Sequence, residues 1–449
     1  MMSLMASEET RTGETRTAMS PTERGTAATR IQETTPGAGG TRAWTARLVV
    51  LGIVLSALNL RPAITSLGAL LEEVRDGLGM SGGVAGLLTS VPPLCFAVFG
   101  VTAPRLARRF GPAAVVCAGM AAITAGLLIR PFVGNTAGFL AASALALMGI
   151  AVSNVLMPVI VKRWFPDRVG SMTGLYSMAL ALGTSAAAAV TVPLTDALGG
   201  GWQSGLAVWA ALAAAAVLPW LPLVRDRGTA AERREPARGA ERQQAPLRIT
   251  RSRTAWALAV FFGLQATAAY ITMGWMPQIF RDAGVSAGTA GVLLAVTMVM
   301  GVPLAFVIPR VATRLPHQGP IVLVLGACGL AGYAGLYLAP AAGAWAWALL
   351  LGVSNCAFPL ALTMVGMRAH SGPGVAQLSA FAQSTGYLIS IPGPLLVGVL
   401  YQQSGGWGLP LALMAALMVP QMVVGFLAGR DRTVEDEAAR WPDRVPPAP

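Results

Sequence analysis

Gly79-Met-Ser-Gly-Gly-Val-Ala-Gly-Leu-Leu88 recurs 205 residues later as Gly284-Val-Ser-Ala-Gly-Thr-Ala-Gly-Val-Leu293. The same offset aligns Pro104-Arg105-Leu-Ala-Arg108-Arg109 with Pro309-Arg310-Val-Ala-Thr313-Arg314. A third pair follows at nearly the same offset, Ser153-Asn154-Val-Leu-Met-Pro158 with Ser354-Asn355-Cys-Ala-Phe-Pro359. Because the three pairs keep their order along the chain, we conclude that the sequence contains two copies of one structural unit.

The composition of the 449-residue chain is that of a protein in contact with lipid. Hydrophobic residues make up 54% of it and charged residues 12%, whereas a soluble protein of this length needs more charge to cover its surface. The net charge of +12 raises the alternative of a nucleic-acid binder. The basic residues, however, form short clusters between long apolar runs. This pattern excludes a soluble nucleic-acid-binding protein, and we expect no nucleic-acid partner.

Twelve apolar runs are long enough to form transmembrane helices. A helix needs about 20 mainly apolar residues to cross a bilayer, and helices are favoured because hydrocarbon cannot hydrogen-bond an exposed backbone. The sequence therefore predicts an all-α integral membrane protein. Its spans lie near residues 47–70, 83–103, 113–131, 137–160, 169–193, 203–223, 255–279, 289–309, 320–339, 343–367, 376–400 and 409–428.

Polar segments divide the chain into two six-helix halves. The segment 1–45 is rich in Thr, Gly, Glu and Arg and predicts a disordered tail. The two halves are predicted at 46–224 and 254–429. A basic linker at 225–253 joins them, and a polar tail follows at 430–449.

The distribution of positive charge predicts the orientation. If both termini are cytoplasmic, the inner segments hold 28 of the 32 Lys and Arg residues, the outer loops hold Arg75, Arg130 and Arg281, and Arg61 lies within a span. The opposite orientation would violate the positive-inside rule. We therefore predict a multi-pass protein of the inner or plasma membrane with both termini in the cytoplasm.

Two parallel six-helix halves are the plan of the major facilitator fold, in which substrate binds between the halves. The loop Gly100-Val-Thr-Ala-Pro104-Arg105-Leu-Ala-Arg108-Arg109 resembles a signature of that superfamily, although Pro104 stands where an acid is usual. The resemblance implies a conformational role for a glycine and five arginines in the two copies: Gly100, Arg105, Arg108, Arg109, Arg310 and Arg314. Simple anchoring by positive charge is the alternative.

A closer resemblance rests on the Ala103-Pro104-Arg105 form of this loop and on three further short motifs, all of which occur in order. The three are Asn59-Leu60-Arg61-Pro62-Ala63, the segment from Gln265 through Tyr270 to Trp275-Met-Pro277, and Gln383-Ser-Thr-Gly386-Tyr387 leading to Gly393-Pro394. Together these motifs resemble the cyanate and 2-nitroimidazole transporter family, over roughly residues 46–428. The resemblance implies small substrates, some anionic and some neutral.

Arg61 is the strongest candidate for substrate binding. It lies 14 residues after Arg47, about 21 Å along a helix, which is too deep for easy contact with either surface. A cation at that depth costs at least ~2.5 kcal/mol on insertion scales, and no Asp or Glu lies within the twelve spans to pair with it. An unpaired guanidinium suits an anion or a nitro group. The alternative is a bond from Arg61 to carbonyls freed by Pro62.

Four amide side chains within the spans are further candidates for substrate binding. Asn154 and Asn355 occupy matching positions in the fourth and tenth spans, four residues before a proline in each case. From there they could donate hydrogen bonds to substrate from either half, or bond between helices instead. The same two alternatives apply to Gln265 in the seventh span and Gln383 in the eleventh.

Aromatic and helix-weakening residues complete the predicted site. Four aromatic residues are candidate cavity walls, with interface anchoring as the alternative: Tyr176, Tyr270, Trp275 and Tyr387. Three residues of the eleventh span weaken a helix and are predicted to have a conformational role, with ordinary packing as the alternative: Gly386, Gly393 and Pro394.

These features favour a secondary transporter that carries a small polar or anionic solute by alternating access. A multidrug efflux carrier of the same fold is the alternative, although an embedded acid to hold cations is missing. A non-transporting membrane sensor is disfavoured because the tails are short. We expect no enzyme and no cofactor or metal, because a Walker loop, an embedded nucleophile and base, and metal-ligand spacing are all missing. The expected partners are the small solute and the bilayer, with the chain acting as a monomer.

Overall fold

The computed structural model describes residues 38–225 and 249–439. Residues 1–37 of the predicted disordered N-terminal tail, most of the basic linker and the last ten residues of the C-terminal tail lie outside the described residues. Residues 38–45 of that predicted tail are instead helical, because they form the beginning of the first helix, Ala38–Asn59. Within these ranges the regular elements are helices, without a strand. The prediction of an all-α protein is therefore confirmed.

Eleven of the twelve predicted spans appear, within the described ranges, as helices long and apolar enough to cross a membrane. The helices of the N-terminal half are α1 (Ala38–Asn59), α2 (Pro62–Ala69), α3 (Leu71–Gly77), α4 (Gly82–Phe110), α5 (Pro112–Ile129), α6 (Thr136–Trp164), α7 (Val169–Ala197), α8 (Trp202–Ala207), α9 (Trp209–Val217) and α10 (Trp220–Arg225). The first span comprises α1 and α2, and the next four are α4, α5, α6 and α7.

The helices of the C-terminal half follow the same order. They are α11 (Arg253–Asp282), α12 (Ala287–Val299), α13 (Gly301–Ala312), α14 (Gly319–Leu338), α15 (Ala344–Asn355), α16 (Ala357–Met367), α17 (Gly372–Ser390), α18 (Pro392–Ser404), α19 (Gly408–Ala428) and α20 (Val434–Ala439). The seventh span is α11, the eighth is α12 and α13, and the ninth is α14. The tenth is α15 and α16, the eleventh is α17 and α18, and the twelfth is α19.

The sixth span differs from its prediction. The sequence predicts one helix over 203–223, whereas the structure divides this segment among α8, α9 and α10, with a shorter apolar stretch at Trp202–Val217. The second interruption lies at Leu218 and Pro219. Proline has no N–H to donate to the preceding turn, so it weakens the helix there. The length of an apolar run does not indicate where its helix is interrupted.

Four other spans are also built from two helices each. The breaks lie at Leu60 and Arg61 in the first span, at Met300 in the eighth, at Cys356 in the tenth and at Ile391 in the eleventh. In the first and eleventh spans a proline opens the second helix, a position where its fixed φ is favourable and its missing N–H costs nothing. Broken spans leave backbone polar groups free inside a membrane protein, where transporters bind their substrates.

The sequence repeat forms the same local structure in both halves. Ser81 caps α4 by accepting a hydrogen bond from the N–H of Val84, and Ser286 caps α12 by accepting one from Thr289. Two residues before each serine, a glycine adopts positive φ, 60° in the first copy and 88° in the second. Each half therefore begins its second span with the same glycine turn and serine cap.

The two halves approach each other closely at one face of the molecule. We name the face where the first, seventh and eleventh spans end the distal face, and the opposite one the terminal face. Near the distal face, Gly86 of the second span lies against the backbone of Leu395 in the eleventh, and Gly82 lies against that of Gly398. Only a residue without Cβ permits such close contact between helices.

Polar contacts also join the two halves at the distal face. Arg281 at the end of the seventh span forms ion pairs of 2.9 Å with both Glu72 and Glu73 of α3. The backbone N–H of Gly83 donates to the side-chain oxygen of Gln402 at 3.0 Å. These contacts run between the N-terminal and C-terminal halves, so they hold the distal face closed.

The start of the predicted C-terminal tail is ordered against the terminal face. Helix α20 brings Glu437 to the beginning of the seventh span, where its carboxylate accepts hydrogen bonds from the hydroxyls of Ser252 (2.6 Å) and Thr254 (2.8 Å). It also accepts one from the backbone N–H of Thr254 at 3.3 Å. A carboxylate at the beginning of a helix is favourable because free N–H groups and the helix dipole meet it there.

Glu435 makes the equivalent contact with the eleventh span. Its carboxylate accepts hydrogen bonds from the backbone N–H groups of His370 (3.1 Å) and Ser371 (3.2 Å) and from the Ser371 hydroxyl (3.0 Å). Burial by itself raises the pKa of both glutamates, but the hydrogen bonds outweigh it and hold the pKa of each below its usual value. Both carboxylates therefore stabilise the docked position of α20 in their ionised form.

Candidate functional site

The break in the first span places Arg61 between two helices. Helix α1 ends at Asn59 and α2 begins at Pro62. The Arg61 carbonyl accepts a hydrogen bond from the N–H of Ile64 at 2.9 Å, which closes the first turn of α2. The Asn59 side chain donates to the carbonyl of Leu212 in the sixth span at 3.1 Å. The break is therefore fixed by neighbouring helices, and it holds Arg61 at a defined depth.

Aromatic rings from both halves surround the Arg61 guanidinium. Its Cζ lies 5.8 Å from the centroid of the Phe96 ring, and Phe96 stacks on Tyr387 with centroids 5.0 Å apart. Tyr270 and Tyr387 both interact electrostatically with the guanidinium. The buried Nη1 of Arg61 has no hydrogen-bond partner among the described residues. The structure thus brings predicted residues of the first, seventh and eleventh spans into one cluster.

Tyr176 and Asn154 extend this cluster into the fourth and fifth spans. The Tyr176 hydroxyl donates a hydrogen bond to Oδ1 of Asn154, and Tyr176 also interacts electrostatically with Arg61. Both side chains are half-buried. The bond occupies the Asn154 oxygen and leaves its NH₂ group as the donor, so this asparagine can offer hydrogen bonds toward a polar solute.

Gln265 and Asn355 lie together in a different place. They line a cavity within the C-terminal half that also involves Tyr333 and Gln421. Gln265 is buried, and its Oε1 has no hydrogen-bond partner among the residues that the structure describes. The pseudo-equivalent asparagines therefore differ, because Asn154 bonds to a neighbour of Arg61 whereas Asn355 faces a cavity inside its own half.

Gln383 and Trp275 have neighbours of their own. The amide nitrogen of Gln383 donates to the hydroxyl of Ser379, one turn earlier in the same helix, at 2.8 Å. Trp275 is fully buried toward the distal face, where its indole N–H donates to Thr89 at 3.2 Å and its ring lies 5.8 Å from that of Trp407. These contacts join Trp275 to an aromatic cluster at the distal end of the seventh span.

The residues predicted from the basic loop lie at the terminal face. Gly100 is half-buried, and a Cβ there would lie 3.7 Å from Val155 of the fourth span. The five arginines of the two loop copies lie at the ends of the second and eighth spans, where all of them are exposed: Arg105, Arg108, Arg109, Arg310 and Arg314. This placement is compatible with both the conformational role and the anchoring role.

The small residues of the eleventh span lie at close contacts. A Cβ on Gly386 would lie 2.6 Å from the Phe262 ring of the seventh span. Gly393 and Pro394 are buried and directly follow the break at Ile391. Gly386 and Gly393 both pack on the seventh span inside the C-terminal half, Gly393 against Thr267. Pro394 differs, because its carbonyl lies against Gly86 of the second span.

Arg130 does not lie in an exposed loop, as the charge count over the sequence assumed. It opens a short 3-10 helix, Arg130–Phe132, and only 2% of its surface is exposed. Its Nη1 donates to the carbonyl of Ala63 at 3.0 Å. One sequence signal points to it, because Arg61-Pro62 and Arg130-Pro131 are the two Arg-Pro pairs in the chain. The third apolar run ends near Arg130, so the sequence predicts that this charge lies in an outer loop.

The family of the chain follows from comparison with known proteins. The model of the Major Facilitator Superfamily matches residues 49–391. The chain belongs to the major facilitator superfamily. Among solved structures, this major facilitator chain is similar to the inward open conformation of the xylose transporter XylE from E. coli, with a TM-score of 0.69 at 11% identity. That alignment covers 88% of this chain and 100% of the other, and it supports the fold.

Curated relatives of this major facilitator chain are bacterial proteins named as transporters. It is 35% identical to the uncharacterized transporter YycB of Bacillus subtilis (strain 168), over 86% of this chain and 94% of the relative. It is 33% identical to the 2-nitroimidazole transporter of Escherichia coli (strain K12), over 86% and 96%. It is 30% identical to the cyanate transport protein CynX of the same organism, over 84% and 96%. The predicted resemblance to this family is confirmed.

Proposed function

We propose that the chain is a secondary transporter of a small polar or anionic solute and that Arg61 is the cation that binds this solute. One observation carries the proposal. The Nη1 of Arg61 is buried without a hydrogen-bond partner among the described residues, in a cluster with Tyr270 and Tyr387 from the opposite half. A guanidinium nitrogen that is buried without a partner is costly, so a solute that supplies an acceptor to Nη1 is favoured at this position, beside the Tyr270 hydroxyl that approaches the same guanidinium.

The chemistry of the cluster favours an acceptor that is small and planar or linear. Within the described spans, acidic residues occur only at the ends of helices, at Asp196 and Asp282, so a carboxylate does not compete for Arg61. The guanidinium offers donors in a planar fork, and the Phe96 and Tyr387 rings provide flat apolar walls. The names of two relatives, a 2-nitroimidazole transporter and a cyanate transport protein, support the same class of solute.

The closed distal face supports alternating access between the two halves. Contacts at Gly86 and Arg281 join the halves on that side of the Arg61 cluster, whereas Arg61 itself keeps partial exposure. We propose that in this state Arg61 is reached from the terminal face. With the termini in the cytoplasm, as the positive-inside rule predicts, the distal face is the outer one and the site opens inward.

The test is counterflow of labelled cyanate in proteoliposomes, because exchange avoids the cost of net charge movement, about 2.3 kcal/mol per charge at 100 mV. We expect saturable counterflow with the intact protein and loss of more than about 90% of it in Arg61→Gln. Arg61→Lys keeps the charge but not the fork, and we expect it to keep only a small part of the flux. Arg432→Gln, at an exposed arginine that follows the twelfth span, is the matched control and should transport normally.

The outcomes separate the parts of the proposal. Normal flux in Arg61→Gln refutes the role of Arg61. Counterflow of 2-nitroimidazole but not of cyanate retains the transporter and assigns it a neutral solute. Counterflow of neither, from protein that remains folded by its melting curve, contradicts the proposed class of solute and favours the alternative of a drug efflux carrier.

A further inference from the structure

The Arg130 side chain is buried, and most of its donors are unused. Its Nη1 donates to the carbonyl of Ala63, and its Cζ lies 6.0 Å from the centroid of the Phe139 ring. Its Nε and Nη2 are also buried, and among the described residues neither has a hydrogen-bond partner. The hydrogen bond to Ala63 therefore satisfies one of the three guanidinium nitrogens, and the other two have no acceptor.

Arg130 lines a narrow cavity on the distal side of the Arg61 cluster. The cavity is lined by one face of α2 and by the distal parts of the second, fourth and seventh spans, including Thr89, Ser143 and Tyr270. The Ser143 hydroxyl is buried and also has no partner within the described part of the chain. The cavity is partly open, and its free space of about 10 Å³ corresponds to roughly one water molecule. Such a space suits a small ion better than an organic molecule.

A buried guanidinium requires a partner, and this cavity offers no carboxylate. The lining residues are apolar or neutral apart from Arg130 itself. Charged groups without partners in an apolar interior are unfavourable, and charge-assisted hydrogen bonds to an anion would satisfy both nitrogens. The serine hydroxyl can donate to the same ion.

We propose that Arg130, together with Ser143, forms a second binding site for a small monovalent anion. Tyr270 lines this cavity and also interacts with Arg61, so it contacts both sites. Ala63, which accepts the hydrogen bond from Arg130, follows Arg61 by two residues, about 3 Å or half a helical turn, so the two sites are neighbours. The site itself is independent of Arg61. Its place as a step on the solute route, between the distal face and Arg61, rests on the proposed function.

A purely structural role for Arg130 predicts different behaviour. In that case its task is the single hydrogen bond to Ala63, and an amide donor at this position would restore it. Arg130→Gln keeps such a donor and removes the charge and the fork. Ser143→Ala keeps Arg130 and removes the second donor. Both variants should therefore remain folded and lose anion affinity, whereas a structural role predicts unchanged affinity.

The experiment is anomalous diffraction from crystals of the full-length protein soaked in sodium bromide, with cyanate counterflow measured in parallel. We expect a bromide peak within hydrogen-bonding distance of Arg130 Nη2 and the Ser143 hydroxyl. We expect the peak to vanish in Arg130→Gln and to weaken in Ser143→Ala, and the half-saturating cyanate concentration to rise about tenfold in both. If the Arg130→Gln protein does not fold, the intact protein and Ser143→Ala still decide the question.

Each pattern of density leads to a different conclusion. Bromide at both arginines supports the second site and the proposed function. Bromide at Arg130 alone supports this site and removes support from Arg61 as an anion site. Bromide at Arg61 alone, or ordered water between Arg130 and Ser143, overturns the second site and leaves the proposed function standing. Density at neither arginine overturns the second site and also Arg61 as an anion site, and counterflow of 2-nitroimidazole then decides between a neutral solute and drug efflux.

Discussion

Gly86 and Gly291 lie 205 residues apart, and each packs against the backbone of a helix from the opposite half. A Cβ on Gly86 would lie 2.9 Å from the carbonyl oxygen of Leu395 in the eleventh span. Gly291, in the eighth span, makes the corresponding close contact with the carbonyl of Ala188 in the fifth. The sequence repeat is therefore also a repeat of the contacts that close the distal face.

A larger residue at this contact should prevent closure. We expect Gly86→Val to destabilise the closed distal face by about 1–3 kcal/mol, since the side chain meets backbone that cannot move aside. Labelling of a Thr89→Cys reporter from the distal side by an impermeant maleimide should rise, and counterflow should fall. Gly288→Ala in the same repeat is the control, because its Cβ would meet nothing within 4 Å. Equal labelling with and without Gly86→Val would contradict the assignment.

The ion pairs of Arg281 should contribute a smaller, salt-sensitive part of the same closure. Arg281 pairs with Glu72 and Glu73 at 2.9 Å, and all three side chains are partly exposed. We expect Arg281→Gln to weaken closure by about 1 kcal/mol, roughly fivefold in the equilibrium between states. The same maleimide assay measures this change in closure at low and at high salt, since salt screens exposed ion pairs. Asp196→Asn, which changes an exposed carboxylate at the distal end of the fifth span, should leave labelling unchanged.

The fold was predictable from the sequence because two independent signals agree. Apolar length indicates the spans, and the repeat around Gly79 and Gly284 indicates two copies of one unit. The depth of Arg61 was also predictable, since Arg47 and Pro62 fix where it lies along its helix. These are properties of a single chain segment. They do not require knowledge of which helix faces which.

Properties that depend on helix rotation were not predictable in this way. Asn154 and Asn355 match in sequence, yet one bonds to Tyr176 and the other faces a cavity inside its own half. Arg130 was predicted to be a loop charge because the apolar run ends at it. Glu437 was predicted to belong to a polar tail, because nothing in an acidic segment indicates that it will meet the beginning of a distant helix.

The two matched asparagines should therefore differ in function. Asn154 bonds to Tyr176, which interacts with Arg61, so Asn154→Ala should weaken solute affinity about tenfold. That corresponds to about 1.4 kcal/mol, a common size for one hydrogen bond to a charged or strongly polar partner. Asn355→Ala should change affinity less than about threefold. The half-saturating cyanate concentration in counterflow measures both, and equal losses in the two variants would argue for a symmetric site instead.

The docking of α20 should make stability depend on pH. The pKa of Glu435 and of Glu437 is lower in the folded protein than the usual 4.5. Their contribution to stability is therefore complete above about pH 4.5 and is lost as the pH falls through the lower folded values. The melting temperature of the purified protein should fall between about pH 5 and pH 3.5. The fall should be smaller in the double variant Glu435→Gln and Glu437→Gln, which should already melt lower at about pH 7.

Asp76→Asn, in α3 at the distal face, is the control and should keep the full dependence of the melting temperature on pH. An unchanged slope in the double variant would show that these carboxylates do not hold α20.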